Sequence, residues 1–65
     1  MSTPKERVQL ELRELELKYL DLDTLLSKPQ PKFISDTQWV LLNEQHAVMW
    51  RYHSILSTRL ANWEG

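Results

Sequence analysis

The residues best equipped for chemistry in this sequence lie in its second half. His46 and His53 are the only histidines, seven residues apart. In a helix that spacing puts both imidazoles on one face, about 10 Å apart along the axis. One ion cannot bridge that gap within a single chain, because zinc-binding helices bring two imidazoles together at i,i+4. No metal site is expected. Trp39, His46, Trp50 and His53 together form an aromatic stripe, with Arg51 beside Trp50. Such a stripe could stack a nucleobase or anchor a protein partner, or it could be buried where chains associate.

Three further groups are candidates. Gln45 and Arg59 fall on an otherwise apolar helical stripe, where a polar side chain fixes register or lines a pocket between chains. Lys28, Lys32 and Phe33 place two positive charges and a ring in a short connector. These suit an anionic ligand, or a solvated loop with Phe33 folded over the helix ends. Nothing holds a nucleophile, a base and oxyanion donors together, so no catalytic residue is assigned and an enzyme is not expected. The only glycine is Gly65, which removes phosphate loops, dinucleotide fingerprints and nucleophile elbows. No cofactor is expected.

Two helices must position these groups. Thr3-Pro4-Lys5-Glu6 is a capping box with proline at the first helical position, and it opens a helix over about 4–27. Ser27-Lys28-Pro29-Gln30-Pro31-Lys32 breaks it, since each proline removes an amide donor and restricts its predecessor. Ser35 and Gln38 form a second capping box, with Ile34 and Trp39 as a hydrophobic staple, for a helix over about 36–62. The connector, about 28–34, is short enough to demand an antiparallel hairpin. The chain is expected to be one domain, 1–65.

Val8, Leu12, Leu15, Tyr19, Leu22 and Leu26 recur at four-three spacing, which is a coiled-coil seam. On the second helix the expected counterpart is Leu42, Gln45, Met49, Tyr52, Leu56 and Arg59, which brings Tyr19 near Gln45. Leu10, Leu17, Leu20, Trp39 and Trp50 lie off this seam. A 65-residue chain with no cysteine has few means of stabilising itself alone. The expectation is therefore an all-α hairpin that assembles into a homo-oligomeric bundle through those residues.

Eight basic and nine acidic side chains give a net charge of −1, which argues against general nucleic-acid binding. Apolar runs such as Trp39–Leu42 fall far short of the roughly 20 residues that span a membrane. The N-terminal residues lack the apolar core of a signal peptide, so a cytosolic chain is expected.

The pattern Glu6-Arg7-Val8, Glu11-Leu12, Leu15 and Lys18, then Leu41-Leu42, Gln45, Met49, Tyr52, Leu56 and Arg59-Leu60, resembles small bacteriophage proteins related to a short protein of a crAss-like phage. The resemblance covers nearly the whole chain. It implies a phage accessory protein acting in the cytoplasm of the infected bacterium. The leading expectation is a non-enzymatic counter-defence protein that binds and inhibits a host defence protein through its tryptophan-rich helical surface. The alternative is an oligomeric sponge that sequesters a signalling nucleotide, cyclic or of ADP-ribose type, between subunits. A virion structural role is the third.

Overall fold

The computed structural model describes residues 2–64. Met1 and Gly65, the ends of the expected 1–65 unit, lie outside the described residues. Helix α1 spans Pro4–Leu26 and helix α2 spans Asp36–Ala61, and the two pack against each other. From Glu16 to Asp23 along α1 the partner falls from His53 to His46 along α2, and Glu11, nearer the start of α1, meets Tyr52 on the other flank. The helices are therefore antiparallel, in a rod 49 × 20 × 16 Å in extent.

Local chemistry sets the helix ends. The Glu6 amide donates to Thr3 Oγ1 (3.2 Å), and the Thr3 hydroxyl donates to Glu6 Oε1 (3.1 Å). Glu6 thus completes the cap through the threonine hydroxyl. At the start of α2, the Gln38 amide donates to Ser35 Oγ at 3.2 Å. Gln30 pins the connector onto that turn: its Nε2 donates to the Ile34 carbonyl and to Asp36 Oδ1, both at 2.9 Å. Phe33, however, is 88% exposed and does not cover the helix ends.

Helix α1 buries Val8, Leu15 and Leu22 and half-buries Leu12, Tyr19 and Leu26, so its seam matches the four-three spacing. Helix α2 differs from expectation. Its inward side chains are Trp39, Leu42, His46, Met49, His53, Leu56 and Leu60, with Trp63 continuing the spacing beyond the helix end. This set also alternates by three and four, and it shares Leu42, Met49 and Leu56 with the expected one. The other positions are displaced by one residue. Gln45, Tyr52 and Arg59 therefore lie outside the seam, all exposed, while His46, His53 and Leu60 take the inward places. The physical reason is at the chain's far end: this phase buries Leu60 and Trp63 against Val8, Leu15 and Leu56, where the other would bury Arg59.

The innermost cluster, Val8, Leu15 and the fully enclosed Leu56, is surrounded by Leu12, Met49, Leu60 and Trp63. It lies at the end of the rod remote from the connector. Leu10, Leu17, Leu20, Val40, Leu41, Val48, Trp50 and Ile55 remain exposed on the hairpin. No helix of the described residues is long and apolar enough to cross a membrane.

Candidate functional site

Two imidazoles in a hydrophobic seam need hydrogen-bond partners, because an unpaired buried polar group is costly. The seam supplies them in register. His46 Nε2 lies 2.9 Å from Asp23 Oδ1, and His53 Nε2 lies 2.9 Å from Glu16 Oε1. A carboxylate only accepts, so each Nε2 carries the proton it donates. The acids are seven residues apart on α1 as the histidines are on α2, which makes two equivalent clips on one side of the hairpin. Both pairs stay partly in contact with water, with about a quarter of each imidazole side chain exposed.

A run of rings links the clips. Tyr19 stacks on His46 with centroids 4.4 Å apart and planes 22° apart. It leans on Trp50 at 5.4 Å and 41°, and Trp50 lies parallel to His53 at 5.5 Å and 4°. Between the helices, Glu16, Tyr19, Leu20, Trp50 and His53 line a shallow cleft of about 220 Å³. Its lining is largely apolar. Trp50 is 55% exposed, leaving ring surface available to a planar ligand, and Glu16 Oε2 remains able to accept an N–H. No lysine or arginine lines the cleft.

On the opposite side of the seam, the Tyr52 hydroxyl donates to Glu11 Oε1. That hydrogen bond holds the phenol above its ordinary value near 10.0, with shielding from water and the Glu11 charge adding to the effect and Arg59 opposing it.

Of the candidate residues, the structure brings Trp50 and His53 into the cleft together with Leu20, and joins His46 to them through Tyr19. Trp39 is half-buried at the connector end of the seam, outside the cleft. Arg51 is exposed one position further round α2. Lys28, Lys32 and Phe33 are exposed in the connector and line no part of the cleft. Gln45 is exposed, its Nε2 lying 3.8 Å from Met49 Sδ, and Arg59 is exposed; neither is a polar seam residue. Leu10 and Leu17 stand outward at 57% and 58% exposure.

Sequence reasoning missed Glu16, Tyr19 and Asp23 as site residues. The signal was present: two acids at i,i+7 on α1 match two histidines at i,i+7 on α2. The displaced phase of α2 concealed it. Among the described residues no group of three or more histidine, cysteine or acidic side chains is placed to hold a metal ion.

A helical hairpin with an open aromatic cleft, edged by one carboxylate, is the class of protein that these features define. The model of the Sequestin family matches residues 2–62, and the chain belongs to that family. No curated protein matches the chain, and no solved structure does.

Proposed function

We propose that this protein sequesters a small nucleotide-type signal without transforming it, as a phage product acting in the cytoplasm of an infected bacterium. The observation that carries the reading is the Glu16–Tyr19–Trp50–His53 cleft in a chain of a family named for sequestering. A flat heteroaromatic ring stacks on Trp50, and Glu16 Oε2 accepts one of its N–H groups. At about 220 Å³ the cleft is smaller than the roughly 300–1,000 Å³ of pockets that enclose whole ligands, so it holds one ring system. The phosphates of such a ligand need cations that the cleft lacks. Further copies meeting around Leu17, Leu20 and Trp50 supply them and close the site, which is how a sponge between subunits works. The cleft's size favours this over direct inhibition of a host protein, which calls for an extended apolar groove or ridge.

The test is a panel of cyclic oligonucleotides and ADP-ribose-type nucleotides, read by melting temperature and tryptophan fluorescence. A bound nucleotide raises the melting temperature by linkage and is recovered chemically unchanged. Trp50→Ala weakens that binding at least tenfold while leaving the hairpin folded. A panel with no response, beside a host protein retained on the immobilised chain, would return the inhibitor reading to first place.

A further inference from the structure

The seven-residue repeat that builds the aromatic cleft continues past its end. Leu20 on α1 and Trp50 on α2 are two of the cleft's walls. One heptad nearer the chain ends, on the same sides of the two helices, stand Arg13 and Ser57. At 100° per residue Arg13 lies about 20° further round α1 than Leu20, and Ser57 about 20° nearer the seam than Trp50. Each is about 10 Å along the axis from the wall it succeeds. The register that levels Glu16 with His53 and Asp23 with His46 also levels Arg13 with Ser57, to within one residue. Arg13 is exposed and Ser57 half-buried, so a guanidinium and a hydroxyl flank the groove where it leaves the rings.

Among the described residues no carboxylate lies within ion-pair distance of Arg13. Glu16, one turn away, gives its Oε1 to His53 instead. A guanidinium with no acid engaged on it suits a phosphate, which it grips through two parallel N–H donors. The other cations of the helices are badly placed for this. Lys18 and Arg59 share the opposite flank with Glu11 and Tyr52, Arg51 points away from α1, and Lys5 is two turns beyond Arg13. We infer, resting on the sequestering reading, that Arg13 and Ser57 form a phosphate subsite continuing the cleft along the hairpin. One chain then holds one nucleoside monophosphate unit, with the base on Trp50, the phosphate on Arg13 and the ribose spanning the gap. The groove has a direction: an acceptor, Glu16, meets the N–H groups of the base, and donors meet the phosphate. The remaining charge of a larger nucleotide is left to further copies.

The experiment titrates the full chain with adenosine and with adenosine 5′-monophosphate at low salt, followed by NMR shifts of the backbone amides and of arginine Nε. The monophosphate binds at least tenfold more tightly than the nucleoside and moves the Arg13 signal. Added salt narrows that gap, because the contact is between exposed charges. Arg13→Gln brings the ratio between the two probes close to one, and Arg13→Lys, a point charge without the fork, keeps part of it. Trp50→Ala weakens both probes. Circular dichroism confirms that each variant is folded. Equal binding of the two probes by the wild type, or a ratio that survives Arg13→Gln, would overturn the subsite and leave the sequestering reading standing. Binding of neither probe would remove the sequestering reading and the subsite with it.

Discussion

Tyr52 and Glu11 form the cross-helix contact whose titration can be followed directly. The phenol's value is raised in the folded chain, chiefly because its hydroxyl donates to Glu11. The folded state therefore keeps this proton to higher pH than the unfolded state. The linked stability is whole below about pH 10 and is lost as pH rises through the folded value. Glu11→Gln should return one tyrosine to the ordinary range and remove that part of the alkaline destabilisation. Ultraviolet titration of tyrosinate, with Tyr52→Phe identifying the residue, measures it; an unchanged titration would deny the contact. The two histidine clips call for a smaller effect. Both reach solvent, so Glu16→Gln or Asp23→Asn should each cost no more than about 1 kcal/mol in urea unfolding. A loss of several kcal/mol would mean that the imidazoles are more deeply enclosed than their exposure indicates.

At the scale of the helix, the two phases of α2 separate cleanly by mutation. Leu60→Ala should cost about 2 kcal/mol or more, because Leu60 packs against the innermost cluster. Arg59→Ala should stay within about 0.5 kcal/mol, as exposed positions do. The reverse ranking would restore the seam through Gln45, Tyr52 and Arg59. How far the elements were legible follows from this pair. Caps and breaks are local chemistry, so Thr3, Ser35 and the two prolines placed both helices from sequence. The α1 seam was legible as well, because its apolar residues at four-three spacing leave one consistent phase. Helix α2 offers two interleaved phases that share Leu42, Met49 and Leu56, and periodicity alone cannot rank them. The decision rests on Trp63 and Leu60 packing beneath Val8, a contact between chain segments more than fifty residues apart. With the phase went the site, since Glu16 and Asp23 acquire meaning only when His53 and His46 face them.

Across the whole molecule, hydrophobic enclosure is uneven. The innermost cluster sits at the end of the rod where the chain starts and finishes, whereas the connector end is held by the buried Leu22 together with Gln30 and the Asp23–His46 clip. The chain must therefore close long loops before it reaches its most enclosing contacts. Asp23 and His46 are separated by 23 residues, Glu16 and His53 by 37, and Glu11 and Tyr52 by 41. Closing the longest of these rather than the shortest costs about 0.5 kcal/mol more in chain entropy. The polar clips near the turn are thus the cheapest to form, and the apolar lock comes last, as a zipper closes away from its hinge. That order assigns rates. Leu56→Ala, at the lock, should chiefly speed unfolding, while Asp23→Asn, small as its equilibrium effect is, should act mainly on refolding. Stopped-flow chevrons of the two variants read this directly, and a Leu56→Ala loss confined to the refolding arm would place the nucleus at the open end instead. Opening that starts at the termini must first break the cluster of Val8, Leu56 and Trp63, so the Tyr19–Trp50 cleft near mid-rod keeps its shape until that cluster parts.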